Sequence, residues 1–207
     1  MNEGSGILTF WILIPIFLFV GLYLIWYSRR RKKILEAFAD THLFRVRSDH
    51  KEKLQKTLDS CFTLEAKGLV RSFGQLSSIV EADPTWLFRA VELLDLNPHA
   101  QSQSAHFSRI VALFDISVKH NEFFILDRST QPKQRLPGST LTDRNITEIT
   151  KQIAKSCSAR HPLSVTLARG HGLIYFEPLM TGGETLSDVN SLYCIAKKMC
   201  EKLSGNI

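Results

Sequence analysis

At 207 residues, with 44% hydrophobic and 22% charged side chains, the chain holds one ordinary domain and a short extra segment, and is too short for two large domains. Its formal charge is +6, but the surplus is local: the first 33 residues hold five of the 26 Lys and Arg side chains and one of the 20 Asp and Glu, leaving 21 against 19 in the rest. A nucleic-acid-binding domain carries a dense basic face, so the balanced remainder argues against a nucleic-acid partner.

The apolar content comes first in the chain. Ile7 to Tyr27 reads ILTFWILIPIFLFVGLYLIWY, 21 residues without an acidic or basic side chain apart from the phenols. A helix of that length spans about 31 Å, the thickness of a hydrocarbon core. Pro15 and Gly21 are compatible with it, since both residues are more frequent in membrane helices than in soluble ones. Trp11 near one end, and Trp26 with Tyr27 at the other, sit where interfacial aromatics belong. The competing readings are weaker. Soluble cores seldom contain an unbroken apolar run this long. A cleaved signal would put its charge before the run and a small-residue cleavage site after it.

Instead Arg29, Arg30, Arg31, Lys32 and Lys33 follow the run. By the positive-inside rule this flank stays in the cytoplasm, with residues 1–6 outside, 7–27 spanning the cell membrane and everything from Ser28 onward inside. The same collar attracts anionic headgroups, at about 1 kcal/mol per Lys or Arg near the surface. The bilayer is thus the first expected partner.

Residues 28–62 read as a basic flank and helical stalk. Ile34, Leu35, Phe38 and Ala39 share one helical face, and Leu54, Leu58, Cys61 and Phe62 share another over KEKLQKTLDSCF, with Asp49 and Glu52 at capping-box spacing. Residues 63–207 read as the folded domain. SFGQLSSIVEAD (72–83) has strand character. TWLFRAVELLDLN (85–97) is read as a strand rather than a helix begun at Asp83–Pro84. HFSRIVALFDISVK (106–119) puts Ile110, Ala112, Phe114, Ile116 and Val118 on one inward face, and NEFFILDRS (121–129) returns from it as a hairpin partner after a tight connection at His120–Asn121. STQPKQRLPGSTLTD (129–143) reads as a long loop. NITEITKQIAKSC aligns Ile146, Ile149, Ile153 and Cys157 on a packing helix, with Asn145 and Glu148 at capping-box spacing.

SVTLARGHGLIYFEP reads as a hairpin whose R-G-H-G centre uses its glycines for positive φ and leaves His171 at the tip. TLSDVNSLYCIAKKMCEKLSG closes the chain with a capping box, Thr185 to Asp188, and an apolar stripe of Leu186, Val189, Leu192/Tyr193, Ala196, Met199/Cys200 and Leu203. The expected fold class is therefore α+β: a transmembrane helix with a helical stalk, then an antiparallel sheet of about five or six strands covered by the last helix. That order is similar to the pleckstrin-homology type in layout alone, and no motif ties the chain to a family.

Signatures of chemistry are missing from the sequence. It holds no phosphate-cradling G-x-x-x-x-G-K-[ST], no G-x-G-x-x-G after a strand, no G-x-S-x-G and no H-E-x-x-H, and its seven histidines and four cysteines follow no metal-ligand spacing. No catalytic, cofactor-binding or metal-binding residue is assigned, and Cys61, Cys157, Cys194 and Cys200 are expected as free thiols. The leading expectation is a non-enzymatic interaction or assembly module held at the membrane, with protein partners there. Two alternatives stand beside it: a pleckstrin-like module binding lipid or peptide, and a tethered enzyme whose site assembles from His171, Asp115 or a cysteine.

Overall fold

The computed structural model describes residues 4–66, 69–95, 104–116, 123–126, 132–135, 143–176 and 184–204. Gly4–His42 form one helix of 39 residues (α1), which runs through Pro15 and would measure about 58 Å. Along its first half the described side chains from Leu13 to Trp26 are mostly exposed, Phe17 and Phe19 to 72% each. The side chains of Trp11, Tyr27 and Arg31 lie outside the described residues. Among the described residues no helix is long and apolar enough to cross a membrane. The C-terminal part of α1 behaves oppositely: Leu35, Phe38 and Ala39 are buried in the main core.

The rest is α+β. Strands β1 (Arg45–Val46), β2 (Leu64–Ala66), β3 (Leu69–Ala82), β4 (Thr85–Asp95), β5 (Ser104–Asp115), β6 (Phe123–Leu126), β7 (Pro132–Arg135), β8 (Leu163–Ala168) and β9 (His171–Phe176) are interrupted by α2 (Lys51–Phe62) and α3 (Asp143–Ser156) and followed by α4 (Leu186–Ser204). The strands make one antiparallel sheet in the order β1-β3-β4-β5-β9-β8-β6-β7, with β2 also on β3. Among the described residues the expected five or six strands become nine, because four short ones, of two to four residues, flank the long ones.

Each face of the sheet has its own core. On one face α1 and α4 bury Leu87, Ile110, Ala112, Phe114 and Ile174 under Val189, Leu192, Ile195, Ala196 and Met199. On the other, α2 lays Leu54, Leu58, Cys61 and Phe62 over Phe73, Leu76, Ile79, Phe88, Val111 and Leu173. The α2 stripe matches the expected one, but the helix is no stalk: together with the end of α1 it is built into the domain. Its expected capping box does not form either. His50 is the N-cap and makes no capping hydrogen bond, while Asp49 lies 3.6 Å from Arg47.

β5 departs from the expected single inward face. Ile110, Ala112 and Phe114 face α4, and Val111 and Leu113 face α2, so the continuous run IVALF is a strand buried on both sides. Its expected hairpin return also fails. β6 pairs with β7 and β8, and β5 takes β9 as its neighbour, with Val111 opposite Tyr175 and Asp115 opposite His171. β9 is buried along nearly all its length, and such a strand belongs in the middle of a two-sided sheet. The connection at His120–Asn121 lies outside the described residues. Within the expected loop 129–143, Pro132–Arg135 form β7.

Three local features explain themselves. In β3 the buried residues Phe73, Leu76 and Ile79 are spaced by three, because bulges after Gly74 and Ser77 each add a residue; Gln75 and Ser78 take the left-handed conformation there (φ 52 and 51). At α4, Thr185 N–H and Oγ1–H donate to Asp188 Oδ2 at 2.8 and 2.7 Å, and Asp188 N–H returns to Thr185 Oγ1 at 3.3 Å, which is the expected capping box. α3 starts at Asp143, so Asn145 lies inside the helix and not at its cap.

Candidate functional site

Among the described residues, part of the expected membrane flank lies close to where α1 meets α4. An aromatic cluster of Phe38, His42, Phe44 and Tyr193 joins them, with ring centroids 4.7 to 6.0 Å apart. His42 Nε2 lies 2.7 Å from Asn190 Oδ1, and Tyr193 Oη donates to Asp83 O at 3.3 Å. These contacts fix the direction in which α1 leaves the domain. One turn or more before them, the faces of α1 and the start of α4 enclose an open groove of about 430 Å³.

Its walls come from Trp26, Arg29, Arg30, Lys33 and Ile34 on α1 and from Leu186 on α4. On a helix these α1 positions, three and four apart, share one face. The Arg30 guanidinium sits 5.3 Å from the centroid of the Trp26 ring, within cation–π range. Among the described residues neither Arg29, Arg30 nor Lys33 forms an ion pair with a carboxylate. Lys32 points elsewhere, toward Glu36 at 3.7 Å. Of the expected membrane-flanking residues, the structure thus gathers Trp26, Arg29, Arg30 and Lys33 on one surface. Leu186, read from sequence as part of the packing stripe, is 36% exposed and forms the far wall.

The alternative catalytic candidates come partly together. His171 Nδ1 lies 2.8 Å from Asp115 Oδ1, and the Cys200 thiol approaches the Asp115 main-chain oxygen at 3.2 Å. Strand alternation separates them, however. Asp115 and His171 share the parity of Leu113 and Leu173, on the α2 face, whereas Cys200 packs on the α4 face. The sheet therefore stands between the imidazole and the thiol, and nucleophile and base do not face each other. The Asp115 carboxylate is 84% exposed because it ends β5, although alternation puts it in the row of the buried Val111 and Leu113. His171 is not the hairpin tip: Arg169 and Gly170 (φ 49 and 81) form the turn, and His171 is the first residue of β9. Gly172 serves packing, since the Phe114 ring occupies the place of its missing Cβ. Arg169 Nη1 meanwhile donates to the Ser60 carbonyl in the last turn of α2.

Two features escaped the sequence. The first is a buried polar network on the α2 face. Glu92, 3% exposed, accepts from Arg71 Nε (2.9 Å), Arg109 Nε and Nη2 (2.9 and 2.8 Å) and Tyr175 Oη (2.7 Å). Both guanidinium groups also lie 5.4 Å from the Tyr175 ring centroid. The available signal was parity: Glu92 falls in the row of Phe88 and Ala90, and Arg109 in the row of Val111 and Leu113. The second is a disulfide between Cys157 and Cys194, which ties the end of α3 to α4; Cys61 and Cys200 are not in a disulfide. The expectation of four free thiols is corrected here, because residues 37 apart in sequence reach a Cα separation of 5.9 Å only through the packing of the two helices.

Among the described residues no three His, Cys, Asp or Glu side chains converge at metal-binding range. On the surface, the Arg47 guanidinium is held above its ordinary pKa by its hydrogen bond to Glu81 at 2.9 Å and by that residue's charge. No protein-family model matches this chain, and no curated protein or solved structure matches it either.

Proposed function

We propose that the chain is a single-pass membrane-anchored protein whose α+β domain works at the cytoplasmic surface as a non-enzymatic interaction or assembly module. One observation carries the reading: the apolar arm of α1 and the core-packed end of α1 are the same continuous helix, with the basic collar between them. An uncovered run of large apolar side chains is costly in water and favourable in lipid. Because α1 is clamped to α4, the domain stands at a set angle to the collar and not on a free tether. That is the geometry of a module that presents one face to neighbours.

The orientation rests on Arg29–Lys33 and the positive-inside rule. In sealed cells, external protease should leave the domain intact, and permeabilisation should expose it. Crosslinking of the full chain in intact membranes should then capture a reproducible set of protein neighbours. Digestion of the domain from outside would sink the orientation, and an empty crosslinking profile would sink the assembly role. The enzyme alternative draws nothing from the His171–Asp115 pair, which has no facing nucleophile in Cys200.

A further inference from the structure

We infer that the groove between α1 and the start of α4 binds the headgroup of an anionic phospholipid from the adjacent leaflet. This rests on the membrane-anchor reading and gives it a ligand. If Ile7–Tyr27 spans the bilayer, Trp26 lies at headgroup level, and the groove begins there and extends away from the hydrocarbon.

Its chemistry suits a phosphodiester with an acyl chain beneath it. Arg29, Arg30 and Lys33 line it, and among the described residues none of them is neutralised by a carboxylate; arginine in particular offers paired donors that match phosphate oxygens. Trp26, Ile34 and Leu186 give it apolar walls, and an amphipathic ring at this depth suits the boundary between headgroup and acyl chain. Glu184 and Asp188 flank the start of α4 but do not line the groove, and Asp188 is engaged by Thr185 and by His161 at 3.3 Å. The far wall matters most to the argument. A bare cationic collar attracts any negative surface, whereas a groove closed by Leu186 on another helix holds one headgroup and couples it to the domain.

The chain has three tryptophans, Trp11, Trp26 and Trp86, so Trp11→Phe with Trp86→Phe leaves Trp26 as sole reporter in the full-length protein. Reconstituted into phosphatidylcholine vesicles, this protein is titrated with phosphatidylglycerol brominated near the headgroup, or with equally brominated phosphatidylcholine. Trp26 quenching should favour the anionic lipid by at least about fivefold, the weight of one engaged cation at the surface. Arg29→Gln with Lys33→Gln should reduce that preference toward unity. Leu186→Asn, which removes the apolar far wall without adding a charge beside the collar, should do the same; retention of full preference in Leu186→Asn would show ordinary surface attraction and overturn the groove.

Circular dichroism of each variant guards against loss of fold. Failure of the protein to co-float with the vesicles would refute the membrane reading itself. Co-flotation with equal quenching by both lipids, or with none, would refute only the headgroup site, the latter pointing to a protein or second copy over Trp26.

Discussion

Tyr175 on β9 donates its phenolic proton to Glu92 on β4 at 2.7 Å, reaching past β5 to join the two guanidinium groups already on that carboxylate. The bond lies in a buried patch beside the α2 core, where a charge left without its partners has little water to replace them. Glu92→Ala should cost about 3–5 kcal/mol by removing the carboxylate that the buried Arg109 guanidinium and Tyr175 hydroxyl share. Tyr175→Phe should cost about 1.5–3 kcal/mol, the usual weight of a hydrogen bond to a charged group. Urea unfolding of the full chain in detergent measures both. A Glu92→Ala variant as stable as the parent would mean that the network is solvated.

Gly172 and Phe114 form a second sensitive pair. A methyl group at Gly172 would enter the Phe114 ring, which is itself 1% exposed and cannot withdraw without opening the core. Gly172→Ala should therefore destabilise by about 1–3 kcal/mol. Phe114→Leu in the same chain should restore part of that loss in a double-mutant cycle. Simple additivity of the two changes would show that they do not meet.

The Cys157–Cys194 bridge and the proposed cytoplasmic orientation pull in opposite directions, because reducing compartments keep most thiols reduced. In a reducing cytoplasm both cysteines should alkylate in intact cells, and Cys157→Ser should change stability by well under the value for a closed loop of this length, about 4 kcal/mol. Alkylation under denaturing conditions, followed by mass spectrometry, reads the state directly. Recovery of the pair as a disulfide from freshly quenched cells would count against the inward orientation.

Leu43 closes α1 in a left-handed conformation (φ 57) while 91% exposed, with Phe44 N–H returning to Ala39 O at 2.9 Å. A helix end of this kind favours glycine. Leu43→Gly should raise stability by up to about 1 kcal/mol, since it removes backbone strain and gives up almost no burial. Thermal unfolding checks the sign, and a clear loss would reveal a contact made by the leucine side chain.

Local pattern determined a good deal on its own. The α2 and α4 stripes, the Thr185–Asp188 cap, the strand at Thr85–Asp95 and the hairpin of β8 with β9 all follow from periodicities and capping chemistry that act within a few residues. So does the apolar run with its basic collar, which needs no fold to be recognised. Tertiary structure decided what depends on partners remote in the chain. It decided that β9 rather than β6 lies beside β5, that both faces of β5 are covered, and that α2 belongs to the core. It also brought Glu92 to Tyr175, Cys157 to Cys194 and Leu186 to the collar. The physical reason is common to all of these: alternation gives each residue a side of its strand or helix, but whether that side meets lipid, water, a charge or another core is set by which element arrives to cover it.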